Sequence, residues 1–142
     1  MRATIEPLAI YNEKARQAEY KKYTATNLRA RAAADPHSIL VARDDAGLTG
    51  FCVSRFDDGT VWLDWFGTAD RARGRGIGAA LLAALAATLP ARDAHKTWCD
   101  SRTDNLKSKS VLERAGYKRI ATLTNHWYGQ DYFLWEYYPL RK

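Results

Sequence analysis

The 142-residue sequence contains no run of about 18 apolar residues, the length that a transmembrane helix needs. Its first residues, Met-Arg-Ala-Thr-Ile-Glu-Pro, lack the apolar core of a secretion signal, so we expect a cytoplasmic protein without a membrane partner. No internal repeat, low-complexity tract or linker rich in glycine, serine and proline divides the chain. The sequence therefore predicts one folded domain over residues 1–142.

Cysteine is scarce. Cys52 and Cys99 are the only two, and they form neither a CxxC pair nor a cysteine–histidine ligand spacing. A structural zinc site needs about four ligands at short spacings, so such a site is excluded. Both cysteines lie in apolar, strand-like surroundings, which predicts two reduced, buried thiols and no metal.

Acidic residues are outnumbered. There are 16 Asp and Glu against 22 Lys and Arg, which gives a net charge of +6 and a pI of about 9.4. Such a charge attracts anionic partners, but it does not distinguish among nucleic acid, an acidic protein and a phosphorylated cofactor. The sequence has no helix-turn-helix, zinc-finger or RNP signature, so a direct nucleic-acid partner is not expected.

Hydrophobic periodicity predicts strands and helices in an order typical of a mixed α/β sheet with helices on its faces. Antiparallel hairpins come first, a strand–helix–strand unit follows, and a final hairpin ends the chain. Gly116 is expected directly after the last helix, where a left-handed residue is common. The predicted helices span residues 8–34 (one or two helices), 76–89 and 105–115, and the predicted strands span 38–42, 48–56, 61–68, 95–100, 117–124 and 132–138.

The most informative segment is residues 71–79, Arg-Ala-Arg-Gly-Arg-Gly-Ile-Gly-Ala, between a predicted strand and a strongly amphipathic helix. Its glycines let the backbone approach a ligand closely. The first N–H groups of the helix lack internal partners and carry the positive end of the helix dipole, so they suit a phosphate group. Arg71, Arg73 and Arg75 add charge suited to bidentate phosphate contacts.

Three other interpretations of residues 71–79 compete with a pyrophosphate site. A P-loop is excluded because no Gly-Lys-Ser/Thr follows. Gly74, Gly76 and Ala79 match a GxGxxA dinucleotide fingerprint, but that fingerprint normally follows the first strand of a parallel series, and here antiparallel strands precede it. The remaining alternative is a helix start with permissive glycines and solvated arginines.

In residues 73–78 and 105–117 the sequence resembles the GNAT superfamily of N-acetyltransferases. Residues 73–78, Arg-Gly-Arg-Gly-Ile-Gly, match the acetyl-coenzyme A signature Arg/Gln-x-x-Gly-x-Gly/Ala, and residues 105–117 look like the second motif, Asn-x-x-(Ala/Ser)-x-x-(Leu/Val)-(Tyr)-Glu-x-x-Gly-(Phe/Tyr). The resemblance covers roughly residues 38–138. It implies a GNAT-like fold, a central, mostly antiparallel sheet of about six or seven strands with helices on both faces. Residues 2–6 would supply the N-terminal strand usual in the family.

The resemblance also implies acetyl-CoA as co-substrate. In such proteins the glycine-rich turn holds the pyrophosphate, and the preceding strand end pairs with the pantetheine arm and stabilises the oxyanion. The residues that take these roles by position are Phe66, Gly67 and Thr68 at the strand end, Arg73, Gly74, Arg75, Gly76, Ile77, Gly78 and Ala79 in the turn, and Asn105, Lys107 and Lys109 at the start of the next helix.

The implied reaction is direct attack of a primary amine on the thioester, which needs a base for the amine and an acid for the leaving thiolate. Asp100 and Asp64 are the candidate bases, and a hydrogen-bonded structural carboxylate is the alternative for each. Leu112 stands where family members often carry the tyrosine acid. Tyr128 and Tyr132 are the substitutes, with a packing role as their alternative.

The acceptor is left open by the sequence: a small amine, a protein N-terminus, a lysine or an aminoacyl-tRNA, the last being the one route to an RNA-linked partner. The aromatic stretch over residues 127–138 predicts a strand covered by helices or by a partner chain, which leaves a homodimer open, or else an aromatic acceptor pocket. The competing function is a GNAT-like module that binds coenzyme A as a ligand or sensor without catalysis.

Overall fold

The computed structural model describes residues 9–139. The predicted N-terminal strand over residues 2–6 therefore lies outside the described residues, as does Leu8, the first residue of the predicted N-terminal helices. Within the described part, none of the helices has the length and apolar character needed to cross a bilayer. No group of three or more His, Cys, Asp or Glu side chains in residues 9–139 is arranged to hold a metal ion.

Four helices form within residues 9–139, and three of them begin where a side chain caps free N–H groups. Asn12 accepts a hydrogen bond from the N–H of Ala15, and Thr24 does the same for Asn27. Gly116 follows the last helix with a φ of 90°, as predicted. The helices are α1 (Glu13–Lys22), α2 (Ala25–Ala34), α3 (Ile77–Ala87) and α4 (Leu106–Arg114).

In the described part of the chain, six strands form one sheet in the order β1-β2-β3-β4-β6-β5, and every neighbouring pair except β3–β4 is antiparallel. The predicted mixed, mostly antiparallel sheet is thus confirmed. The strands are β1 (Ile39–Asp44), β2 (Gly47–Asp57), β3 (Thr60–Thr68), β4 (Lys96–Arg102), β5 (Lys118–Leu123) and β6 (Tyr132–Tyr137).

Helices cover both faces of the sheet. The apolar stripe of α3 packs against β1, β2 and β3, and Leu81, Leu82 and Leu85 join Leu63 of β3 in the core. On the opposite face, Arg31 of α2 and Glu19 of α1 bond to side chains of β3. Cys52 and Cys99 are buried, unbridged thiols, which confirms the prediction for both.

Most differences from the predicted boundaries are small. The predicted helix over residues 76–89 ends at Ala87, because residues 90–92 form a separate 3-10 turn that begins at the proline. The predicted strand over residues 95–100 continues to Arg102. Before β6, residues 127–129 form a 3-10 turn in place of the simple turn expected at residues 129–131.

Strands β3 and β4 separate after a short parallel contact. Their pairing runs only from Thr60 opposite Lys96 to Trp62 opposite Trp98, although β3 continues to Thr68. A bulge lies just past this point, since Val53 of β2 pairs with Trp65 and the next β2 residue pairs with Leu63. The separation opens the middle of the sheet, and the site described next occupies the opening.

Candidate active site

A cleft of about 1410 Å³ lies between the diverging ends of β3 and β4. Its walls come from the glycine-rich turn, the first turns of α3 and α4, strands β3 and β4, helix α1 and residues 127–132. Elements distant in sequence therefore share one cavity, large enough for a cofactor-sized ligand and a second molecule.

The glycine-rich turn forms one wall of the cleft, with Gly74 and Gly76 both at a φ of 75°. This left-handed conformation favours glycine. Apart from the adjoining residues of the turn, no atom of residues 9–139 lies within 4 Å of the point where a Cβ would stand on either glycine, so the space above them is open. Gly76 directly precedes α3 and no side chain caps the helix, which leaves the first N–H groups available to an anion.

Two further glycines allow α3 to pack closely at this wall. A Cβ on Gly78 would stand 3.3 Å from Cγ1 of Val111 in α4. A Cβ on Gly50 of β2 would stand 2.8 Å from Cγ2 of Ile77 and 2.9 Å from the carbonyl oxygen of Gly67. Gly50 thus brings the start of α3 against the sheet, a role that the sequence interpretation missed because its partners are distant along the chain.

The arginines of the turn are ion-paired. Arg71 makes two hydrogen bonds to Asp44 at the end of β1, at 2.8 and 3.0 Å, and Arg75 makes a third at 3.1 Å. These hydrogen bonds hold the pKa of the Asp44 carboxyl well below its usual range. Arg73 pairs with Asp70 at 2.7 Å. The predicted triple charge is therefore partly neutralised, and two arginines share one carboxylate.

The edge of β3 that faces β4 lacks a strand partner where it lines the cleft. Phe66, Gly67 and Thr68 pair with β2 on one side, but the pairing with β4 ends at Trp62. All three residues line the cleft. Backbone groups on the open edge suit an extended ligand that carries amides.

The start of α4 lies in the same cavity. The side-chain oxygen of Asn105 accepts a hydrogen bond of 3.2 Å from the N–H of Ser108 and so caps the helix. Asn105 and Lys107 line the cleft, whereas Lys109 does not. The Lys109 side chain lies away from the cleft, which corrects the expectation that both lysines face it.

Asp100 lies on β4, two residues past the end of the pairing with β3, and it lines the cleft. Its Oδ2 accepts a hydrogen bond of 2.9 Å from the indole Nε1 of Trp127. Burial raises the pKa of Asp100 to about 6, since it disfavours the charged carboxylate more than the Trp127 hydrogen bond favours it. Asp100 therefore has the position and protonation range of a general base.

Asp64 also lines the cleft, but two arginines occupy its oxygens. Arg31 of α2 donates to Oδ2 at 2.5 Å, and Arg55 of β2 donates to Oδ1. The bulge turns Asp64 and Trp65 to the same face of the sheet. Two contacts with the helices indicate this: Asp64 accepts from Arg31 of α2, and Trp65 donates to Glu19 of α1. Arginines occupy both oxygens of Asp64, whereas Asp100 accepts one hydrogen bond from a neutral indole, so the structure separates the two predicted bases by their partners.

Three tyrosines surround the Asp100 side of the cleft. Tyr128 is 43% exposed, while Tyr132 is buried. Tyr11 was missed because its segment was interpreted as helical, yet it too lines the cleft. Burial raises the pKa of Tyr11 and of Tyr132, and nearby Asp100 adds to both shifts. The phenols of Tyr11 and Tyr132 therefore stay protonated at neutral pH, and the raised pKa makes each a weaker acid than an ordinary tyrosine.

Two further residues were missed by the sequence interpretation. The indole of Trp127 contacts Asp100 from 27 positions away along the chain. Glu19 of α1 accepts a hydrogen bond of 2.6 Å from the indole of Trp65. Neither residue belongs to a motif, so no local signal could have indicated them. Leu112, at the position of the family tyrosine, is a buried core residue.

Comparison with known proteins agrees with this geometry. A family model described as "Acetyltransferase (GNAT) family" matches residues 6–117. A search of curated protein sequences found no match.

Solved structures share the fold at low sequence identity. Salmonella typhimurium yncA with its cofactor acetyl-CoA is 19% identical (TM-score 0.74; 96% of this chain and 82% of that chain are covered). Chaetomium thermophilum Naa20 in complex with a bisubstrate analogue is 20% identical (TM-score 0.71; 82% and 73%). The ribosomal-protein-alanine N-acetyltransferase from Brucella melitensis is 23% identical (TM-score 0.70; 93% and 85%).

Proposed function

Because the chain belongs to the acetyltransferase (GNAT) family, we propose that it transfers the acetyl group of acetyl-CoA to a primary amine. The observation that carries the proposal is the cleft itself. One cavity joins a glycine-rich helix start suited to a pyrophosphate with a half-buried carboxylate suited to deprotonate an amine.

The residues of the cleft fit coenzyme A, which supplies an activated acetyl thioester when bound. The N–H groups at the start of α3 and the open space above Gly74 and Gly76 suit the pyrophosphate. The unpaired edge of Phe66–Thr68 suits the amide-bearing pantetheine arm, and an N–H there would stabilise the developing oxyanion. Lys107, at the cleft wall, suits the remaining phosphate.

Asp100 acts as the base in this proposal. With a pKa of about 6 it is mostly ionised at neutral pH, so it can accept the proton of the attacking amine. The new N–C bond forms as the C–S bond breaks, and the thiolate takes a proton from a tyrosine. Tyr128, Tyr132 and Tyr11 all line the cleft, and Tyr128 is more exposed than Tyr132.

One observation favours the second candidate, a sensor that binds coenzyme A without catalysis. Leu112 replaces the usual tyrosine and is 1% exposed, so it offers no proton. A sensor would retain the cofactor wall of the cleft and lack turnover. The same experiment separates the two functions.

The experiment measures release of free thiol from acetyl-CoA in the presence of a panel of amines, together with acetyl-CoA affinity by calorimetry. Gly76→Ala places a methyl group in the open space at the helix start and should lower affinity at least about tenfold. Gly59→Ala is the matched control: its φ is +80°, so the strain is similar, but it lies outside the cleft. Equal loss in both variants would contradict the assigned cofactor site, and binding without thiol release would favour the sensor.

A further inference from the structure

The acceptor part of the cleft is the part lined by Asp64 and Asp100, and the positive and negative charges around it do not balance locally. Glu19 and Lys22 of α1 lie 3.5 Å apart, and both line the cleft, so their charges compensate each other. Arg102, buried next to Tyr132, pairs with Asp104 at 3.1 Å. Among residues 9–139, the other charged groups near Asp100 and Asp64 are these two aspartates and the two arginines bound to Asp64.

Asp64 carries one negative charge against two guanidinium groups. Arg31 reaches Asp64 from α2 and does not line the cleft, and its single positive charge balances the single negative charge of Asp64. Arg55 is therefore a surplus cation, and it does line the cleft. Within residues 9–139, its only hydrogen bond is the one from Nη1 to Asp64, and its guanidinium lies 5.5 Å from the ring centroid of Trp62.

Asp100 is the opposite case. Among the described residues it accepts one hydrogen bond, from the neutral indole of Trp127, and it has no ion pair. Asp100 and Asp64 each lie two residues past the last β3–β4 pair, so they stand on the two diverging walls. The acceptor part of the cleft is thus dipolar, with an unmatched carboxylate on one wall and a surplus guanidinium on the other.

We infer that the acceptor is a small zwitterionic molecule that carries a primary amine and a carboxylate, such as a free amino acid or a short ω-amino acid. The inference rests on the proposed function for its amine end. The amine would meet Asp100, and the carboxylate would bind the unused N–H groups of Arg55, whose planar fork matches a carboxylate and is oriented by Asp64 and Trp62.

A hydrogen-bonded bridge next to Asp100 favours a small acceptor. The side chain of Asn12 donates to the carbonyl of Tyr128 at 3.0 Å, and that of Gln130 donates to the carbonyl of Ile10 at 3.0 Å. The bridge therefore joins the segment before α1 to the turn that carries Trp127. Tyr11 and Tyr128, which adjoin the bridged residues, line the cleft, so a polypeptide acceptor that approached Asp100 from this side would meet the bridge, whereas a small molecule need not.

The test compares acceptors in matched pairs: glycine with glycinamide, β-alanine with β-alaninamide, and 4-aminobutyrate with its amide. Initial rates of thiol release give kcat/KM for each. We expect at least one carboxylate to exceed its amide about tenfold or more, since a charged hydrogen-bonded pair would be lost with the amide. Arg55→Gln should remove most of this preference by raising KM for the carboxylate, with little change for the amide.

Arg29→Gln is the control variant, because it removes the same charge from the exposed face of α2, outside the cleft. Amides that react as well as carboxylates in every pair, or an Arg55→Gln variant that lowers both equally, would overturn the inference. The same panel is also titrated into protein saturated with coenzyme A, where no reaction occurs. Carboxylate-dependent, Arg55-dependent binding without any turnover would support the inference while refuting the proposed catalysis; absence of that preference would refute the inference.

Discussion

Replacing Asp100 with asparagine should make the protein more stable at pH 8 and nearly inactive. Burial raises the pKa of Asp100 from 3.8 to about 6, which means that the folded state holds the ionised carboxylate less well than the unfolded chain does. Asparagine has nearly the same shape, keeps an oxygen for the indole of Trp127 and carries no charge to desolvate. The substitution should therefore remove a destabilising charge together with the base.

The magnitude follows from the shift. Two pKa units at 1.36 kcal/mol each correspond to about 3 kcal/mol, an upper figure for a group that is partly exposed. Because the folded pKa is the higher one, the wild-type carboxylate adds no penalty below pH 4. The penalty grows as pH rises through the window from about 4 to 6, and it is complete above it. The gain in the variant should follow the same curve.

Two assays check this prediction. Urea unfolding at pH 4 and pH 8 should give equal stability for wild type and Asp100→Asn at the lower pH, and a more stable variant at the higher pH by about 2–3 kcal/mol. Thiol release should fall about 100-fold or more, while acetyl-CoA affinity stays the same. A variant that is less stable at pH 8, or a stability difference that does not depend on pH, would refute the burial of an ionised carboxylate at this position.

The remaining predictions concern the groups around this carboxylate and the helix start. Trp127→Phe removes the half-exposed indole hydrogen bond to Asp100, which is worth about 1 kcal/mol. The pKa of Asp100 should rise, so the acid limb of the kcat/KM pH profile should move up by about 0.7 pH unit. An unmoved limb would exclude Trp127 as a positioning residue. Tyr128→Phe should reduce turnover without changing acetyl-CoA affinity, and unchanged turnover would leave Tyr132 or Tyr11 as the acid. Gly50→Ala places a Cβ 2.8 Å from Ile77, so unfolding should show a loss of about 1–3 kcal/mol, and calorimetry should show weaker acetyl-CoA binding; a variant as stable as wild type would contradict the close packing of α3.

The sequence was sufficient for the elements that depend on local signals. The apolar stripe of α3 and the glycines before it predicted the helix and the glycine-rich turn that precedes it, because periodicity and glycine act over a few positions. Gly116 was also predicted correctly from its place after α4.

Long-range contacts escaped the sequence because nothing local specifies them. The indole of Trp127 bonds to Asp100 from the turn before β6, and that turn bonds to the segment before α1 through residues more than 100 positions apart. The ion pairs of Asp64 depend on a bulge in β3, and a bulge of this kind has no reliable sequence signature. Two carboxylates that were equivalent candidates in the sequence thus differ in the structure by their neighbours.

The separation of β3 from β4 explains why so many functional groups converge on one place. Ending the pairing at Trp62 and Trp98 leaves strand edges without partners, and unpaired backbone groups are unfavourable unless water or a ligand satisfies them. The same gap exposes the N-terminus of α3, one edge of β3 and the side chain of Asp100 to one cavity. A ligand that carries both a diphosphate and amides would satisfy the helix start and the strand edge together. Binding of that ligand would therefore complete the hydrogen bonding of the sheet, and this is the physical reason to expect cofactor affinity and fold stability to rise together in this protein.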